Sequence, residues 1–362
     1  GLRVLVVDPV ERGRDTLSTH ALMRGGVLQL ARWRLLDAVR ESGAPRLMRT
    51  TFHYGEEQIA VDIEPDGEVD GLYAPRRTVI DRILSEAADE AGAEFRYGWS
   101  VEDLLTSPNG HVTHAIIRNA AGQRRNIQAD VVVGADGARS KVARLVRAHP
   151  THTAPHATAS IYGYFDHMPS DGYHWHFADG LAAGVIPTND DKACLFVSMP
   201  PTRFLEGKSA GLERVFLDVL RAVSADLFVR AASGGTPSLR GFAGAPSMLR
   251  ESAGPGWALV GDAGYFKDPL TAHGMTDALR DAELLARAIV AGREGSGTMD
   301  DALLAYVETR DRLSHGLMDV TSRIASLEWD LADVKQLHRT LSREMKEEVA
   351  WMRDWDQLRP AA

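Results

Sequence analysis

Residues 257–275 read Trp257-Ala258-Leu259-Val260-Gly261-Asp262-Ala263-Gly264-Tyr265-Phe266-Lys267-Asp268-Pro269-Leu270-Thr271-Ala272-His273-Gly274-Met275. An unbroken apolar run ending on glycine is the composition of a strand buried on both faces. Asp262 then stands at the strand's carboxyl end, Pro269 interrupts the loop that follows, and Gly274 opens an apolar-periodic helix extending to about residue 291. Two polar devices converge here. Asp262 is able to accept from a sugar-alcohol hydroxyl, and the free amides near Gly274 and Met275 present partial positive charge to an anionic oxygen. The same string also reads as an ordinary strand followed by a capped helix.

Two earlier segments share this form. Residues 2–7 are a short β-branched apolar run that ends at Asp8, the pattern of an interior parallel strand. A carboxylate at the end of the second strand of a βαβ unit binds ribose hydroxyls, although a solvated strand end has the same composition. Arg14 and Arg24-Gly25-Gly26 follow, leading into helical spacing over Val27, Leu28, Leu30, Trp33, Leu35, Leu36 and Val39. A second helix is predicted from Arg77 over Val79, Ile80, Ile83 and Leu84. Residues 131–140 then run from Val131-Val132-Val133-Gly134 into Ala135-Asp136-Gly137. Gly134 and Gly137 allow a close approach that a Cβ would block, while Asp136 also reads as a helix N-cap.

The rest of the 362 residues bounds the function. Forty-one Lys and Arg against 50 Asp and Glu give a net charge of −9. With the two signs mixed along the chain, this argues against nucleic-acid binding, which needs a clustered basic surface. Cys194 is the single cysteine and sits among apolar residues, so it reads as a buried small hydrophobe in a reduced, cytoplasmic protein. No stretch approaches the roughly 18 apolar residues of a membrane span. Between about 155 and 250 the texture changes to strand-like pieces separated by Asp, Gly, Pro and Asn turns, which predicts a mostly antiparallel sheet inserted into an α/β chain. Helical spacing dominates after residue 300. The expected division is 1–154 and 251–300 for a split α/β layer, 155–250 for the inserted sheet and 301–362 for terminal helices.

In order, the Asp8 segment, Arg77 ahead of Ile80-Asp81-Arg82-Ile83-Leu84, the Asp136-Gly137 segment and the Gly261-Asp262 segment resemble the FAD-binding fold of the para-hydroxybenzoate hydroxylase type. That superfamily also holds flavin-dependent halogenases and geranylgeranyl-reductase-like enzymes. The resemblance runs from residue 2 to about 291 and implies a Rossmann-like FAD-binding domain, an inserted substrate-binding sheet and C-terminal helices. It implies FAD contacts for Asp8 at the adenosine ribose, Arg24 and Arg77 at the pyrophosphate and ribityl region, and Gly261 and Asp262 at the ribityl chain. Gly274 and Met275 would meet the flavin pyrimidine edge, with Pro269 in the same loop. Asp136 and Gly137 would support the FAD site and NAD(P)H use. His273, just before the flavin edge, is implied to tune the flavin, and no metal is implied.

The activity so implied is that of an NAD(P)H-using, FAD-dependent monooxygenase. Oxygen from O₂ would pass through a flavin C4a-hydroperoxide to a small aromatic or polyketide-like substrate. His53, Tyr73, Tyr164, His176 and Tyr265 are candidate pocket residues, for each of which a structural role is the leading reading. The departures keep other readings alive. No Gly-x-Gly-x-x-Gly occurs, and because a βαβ unit spans about 30 residues the chain is expected to start at its second strand, N-terminally truncated. His273 and Thr276 stand where hydroxylases often carry Gln and Asn. Asp268-Pro269-Leu270-Thr271 leans toward the reductase and halogenase branches, and Trp175 with Ile186-Pro187 echoes a halogenase signature only in part. The alternatives are therefore reduction of a carbon–carbon double bond in an isoprenoid-like substrate, halogenation, and a flavin-free binding or inactive protein. A monomer or homodimer is expected.

Overall fold

The structure, a computed structural model, describes residues 1–235, 237–295 and 297–355. The two apolar runs on either side of residues 155–250 come together. Val132–Gly134 and Trp257–Leu259 pair in parallel, with Trp257 opposite Val132 and Leu259 opposite Gly134. The approach at Gly134 is tight, since a Cβ there would lie 2.7 Å from Leu259 Cδ2 and 2.8 Å from Val142 Cβ. Gly134→Ala is expected to overpack this layer and lower the unfolding free energy by about 1–3 kcal/mol, measurable by denaturant titration. Leu5–Asp8 also forms a parallel pair, with Glu94–Tyr97. Its side chains are half-buried rather than interior, because among the described residues it is paired along one edge only.

The inserted sheet is larger than the texture of residues 155–250 predicts. Seven strands lie in the order Arg240–Phe242, Ala159–Asp166, Lys192–Met199, Leu181–Pro187, Tyr173–Ala178, Arg49–Tyr54 and Glu57–Asp62. The last two come from far upstream, and Arg49–Tyr54 joins Tyr173–Ala178 in the sheet's parallel pairing. The others are antiparallel.

Strand alternation gives this sheet two covered faces. On one, Tyr173, Trp175 and Phe177 pack with Tyr54, Phe196 and Ile186 against Leu317, Ile324 and Leu337 from the terminal helices and Trp329 from the connection between them. On the other, Ile161, Leu195 and Val197 pack against Val215, Phe216, Val219 and Leu220 of the helix Leu212–Val223. Each such side chain, fully buried, is worth about 1.5–3 kcal/mol. The terminal helices are begun by their own sequence. Thr298 and Asp301 form a capping box for Met299–Ala325, and Asp330 accepts from Ala332 N and Asp333 N to start Leu331–Asp354. No described helix is long and apolar enough to cross a membrane.

Candidate functional site

The carboxyl end of Trp257–Leu259 meets the start of the helix Gly274–Glu294. Gly261 turns the chain at φ +56°, with Ala278 Cβ 3.3 Å from where its own Cβ would stand. That left-handed turn suits glycine. Asp262 follows, and its Oδ1 lies 3.9 Å from the Cβ position of Gly274. Strand end and helix start thus share one space. Burial pushes the Asp262 carboxyl up to about 6; the charges of Asp277 and Asp281 act the same way, while Arg77 and Lys267 oppose them. The intervening loop is tied down by Asp268, a fully buried carboxylate that accepts from Leu270 N at 3.0 Å, Thr158 N at 2.7 Å and Thr158 Oγ1 at 2.9 Å. Pro269 is exposed at the first position of a short turn, Pro269–Thr271.

Behind the helix start lies a buried charged cluster. His273 Nε2 is 2.7 Å from Glu348 Oε2. The Arg280 guanidinium, fully enclosed, donates to Asp281 Oδ1 at 2.9 Å, Glu348 Oε1 at 2.5 Å and Ser314 Oγ at 2.9 Å. Lys267 Nζ is 2.8 Å from Asp277 Oδ2. Lys267 and Arg280 thereby face Asp277, Asp281 and Glu348, while Arg310, whose charge also reaches Asp281, is paired with Asp311 at 2.5 Å. Burial at this density is tolerable only because each charge has a partner. Glu348 comes from the last helix, which closes the cluster from the far end of the chain.

On the other side of Met275 lies a buried polar cluster under the seven-stranded sheet. Ser18 bridges the two, its Oγ lying 3.8 Å from Met275 Sδ and its N–H donating to Tyr162 Oη at 3.1 Å. The Arg76 guanidinium sits 4.1 Å over the Tyr164 ring and donates to Asp15 at 3.2 Å. Arg240 also pairs with Asp15, at 3.2 Å. His20 stacks on Tyr164, and burial lowers its pKa to about 3, so the ring is neutral. Its Nδ1 is 3.1 Å from the Ala74 carbonyl. Nδ1 must therefore carry the proton, leaving Nε2 as an acceptor. Four buried atoms here have no partner among the described residues: Asp15 Oδ1, His20 Nε2, Arg76 Nε and Tyr164 Oη.

The predicted site residues divide accordingly. Gly261, Asp262, His273, Gly274 and Met275 converge, and Arg77 stands within electrostatic reach of Asp262 while gripping Asp81 at 2.8 and 3.0 Å. Arg24 opens the helix Arg24–Arg32, donates one nitrogen to Glu64 O at 2.7 Å and keeps Nη1 buried without a partner. Asp8 accepts from Val10 N at 2.8 Å. The N-cap of the helix Lys141–Leu145 is Ser140, whose Oγ accepts from Ala143 N, rather than Asp136; Asp136 stands one turn earlier and accepts from Ser140 Oγ, Lys141 N and Val142 N, with Gly137 at φ +76° beside it. Of the candidate side chains, Tyr164 lies in the polar cluster and Tyr265 in the charged cluster, donating to Ser314 O at 3.4 Å. Tyr73 is turned to Asp70, and His53 and His176 lie on the opposite sheet face. Asp15, His20, Arg76 and Glu348 have no place in the sequence reading.

The family described as FAD binding domain matches residues 1–321. The chain belongs to this FAD-binding domain family. Among curated proteins it is 30% identical over 252 residues to the digeranylgeranylglycerophospholipid reductase of Methanothrix thermoacetophila, covering 67% of this chain and 61% of that one. It is 26% identical over 277 residues to the chloroplastic geranylgeranyl diphosphate reductase of Nicotiana tabacum, covering 69% and 55%. The chain thus spans about three-fifths of the length of the curated relatives it matches. In fold, this FAD-binding domain protein is similar to Pseudomonas aeruginosa PqsL solved in complex with 2-aminobenzoylacetate, with a TM-score of 0.76 at 22% identity over 95% of this chain and 93% of that one. It is also similar to the flavin-dependent brominase Bmp2, with a TM-score of 0.79 at 17% identity over 90% and 82%.

Proposed function

We propose that this FAD-binding chain acts in an NAD(P)H-dependent monooxygenase whose substrate is a small, polar, aromatic molecule. The residues fit FAD. Asp262 offers a carboxylate beside Gly274, the amides of the Gly274 helix face the same space, and Arg24 Nη1 is a buried cation donor without a partner. FAD, when bound, supplies hydride acceptance and oxygen activation. The chain's own part is binding and orientation: Asp262 would hold hydroxyls, Arg24 and Arg77 phosphate oxygens, and the helix start developing negative charge.

The observation that carries the substrate class is the set of four unpartnered polar atoms around Tyr164. A prenyl chain would leave all four unsatisfied, at about 1–3 kcal/mol each. A carboxylated or hydroxylated aromatic ring would meet the Arg76 N–H, the Tyr164 hydroxyl and the His20 lone pair. The second reading, saturation of an isoprenoid double bond, is favoured by the identity with the digeranylgeranylglycerophospholipid reductase. Flavin absorbance of the purified protein comes first, followed by O₂ uptake and NAD(P)H oxidation with a panel of aromatic acids. Substrate-coupled O₂ uptake is the expected result. Anaerobic saturation of a prenyl alkene without such uptake would replace this reading with the second, and a protein that takes up no FAD would sink both.

A further inference from the structure

A second constellation lies on the sheet face turned away from Tyr173, Trp175 and Phe177. His174 and His176 alternate with those aromatics along Tyr173–Ala178, and His53 stands directly opposite His176 in the parallel pair. This face is otherwise apolar where the helices cover it, so three imidazoles there call for a reason. His53 Nε2 is 3.0 Å from His174 Nδ1. The His53 and His176 rings stack at 3.9 Å with 2° between their planes. One ring nitrogen from each of the three lies within 4.8 Å of the others.

The surroundings are those of a ligand set. His174 Nε2 is 2.8 Å from Asp171 Oδ1, which fixes its proton on Nε2 and turns the Nδ1 lone pair inward. Asp171 is in turn gripped by Arg49 at 3.2 Å. A carboxylate behind a histidine is the usual means of orienting a metal-bound imidazole. The three histidines open on a cavity of about 230 Å³ that is also lined by Ser170, Asp226 and Arg230. Arg230, the nearby cation, is balanced by Asp226 at 3.6 Å and donates to Pro169 O.

We propose that His53, His174 and His176 bind one divalent transition-metal ion, zinc by preference, with Asp171 orienting His174 and with the His53 and His176 rings turning out of their parallel stack so that both in-plane lone pairs meet the ion. Imidazole donors suit zinc, copper and nickel over magnesium or calcium. A three-histidine set leaves zinc a fourth position for water from the cavity. The ion would join Arg49–Tyr54 to Tyr173–Ala178, two strands whose sequences lie far apart. It therefore acts as a staple for the edge of the sheet, on the face away from Met275.

The test uses the full chain, freed of any affinity tag and stripped with chelator. ZnCl₂ titrated calorimetrically is expected to bind at one equivalent and raise the melting temperature, and Co²⁺ to give the visible bands of a low-coordinate nitrogen site. His176→Gln and His174→Gln abolish the binding, and Asp171→Asn, an exposed change that spares the fold, weakens it about 10–100-fold. Absence of saturable Zn²⁺ binding to the unmodified chain overturns the proposal. So does binding undiminished in the two glutamine variants, which would assign the ion to the His273, Asp277 and Glu348 set instead.

Discussion

Arg280→Met is expected to lower the unfolding free energy by about 3–5 kcal/mol, the range for breaking a buried ion pair by removing one partner. Arg280 is fully enclosed and serves Asp281, Glu348, Asp277 and Ser314 together. Methionine fills much of the volume and supplies none of the charge. The pH dependence separates this from a packing defect. Burial already pushes the Asp281 carboxyl up to about 6 against the pull of Arg280 and Arg310. Burial also works against ionised Glu348, but His273 and Arg280 prevail and hold it below the usual carboxylate range.

Without Arg280 both carboxyls shift upward in the folded state. A folded pKa raised above the unfolded one gives stability that is present at low pH and lost as pH rises through the folded value. The deficit of Arg280→Met relative to the unmodified protein is thus larger at about pH 8 than at about pH 5. Urea titrations at the two pH values measure it. A deficit equal at both, or smaller than about 1 kcal/mol, would show that the cluster is not held by this charge.

This cluster also marks where the sequence stopped being legible. The strand, Asp262 and the Gly274 helix could be read because they are contiguous and each step has local chemistry behind it. Within that helix, Asp277, Arg280 and Asp281 share the buried stripe with Leu284 and Leu285. Charges on an apolar face are a readable signal that partners exist elsewhere. Which partners they are is set by how the terminal helix returns, and nothing in the periodicity around Glu348 encodes that.

The same holds for the sheet. Alternation along Tyr173–Ala178 shows two faces, but its parallel pairing with Arg49–Tyr54 brings together residues 123 apart, as for His53 and His176. Asp136 is the converse. Its bonds are all local, to Ser140, Lys141 and Val142, yet the N-cap itself falls on Ser140, which the string Asp136-Gly137-Ala138-Arg139-Ser140 contained and the reading passed over. Asp15, His20 and Arg76 lie in loops or at a helix edge without periodicity, and only the fold gathers them around Tyr164.

Asp262→Ala is expected to weaken FAD binding about 10–100-fold, the effect of losing hydrogen bonds to a charged acceptor worth about 1.5–3 kcal/mol. The raised pKa supplies a second, sharper signature. In the free protein Asp262 titrates near 6 because burial and neighbouring carboxylates disfavour its anion. Hydroxyl donors from a ligand stabilise that anion, so binding lowers the pKa and releases a proton, and affinity rises with pH through this range. FAD titrated by fluorescence quenching should bind the unmodified protein more tightly at about pH 8 than at about pH 5. Asp262→Asn, which keeps the shape and cannot ionise, should lose most of that dependence.

The stability of the flavin-free protein runs the other way. Because the folded pKa lies above the unfolded one, ionised Asp262 costs stability above about pH 6. Asp262→Asn should therefore stabilise the flavin-free fold at about pH 8 while impairing flavin uptake. A purely structural carboxylate would lower both quantities together. That result, or FAD affinity unchanged in both variants, would remove Asp262 from the binding site. The opposed signs are what a residue kept for its ligand rather than for the fold must show.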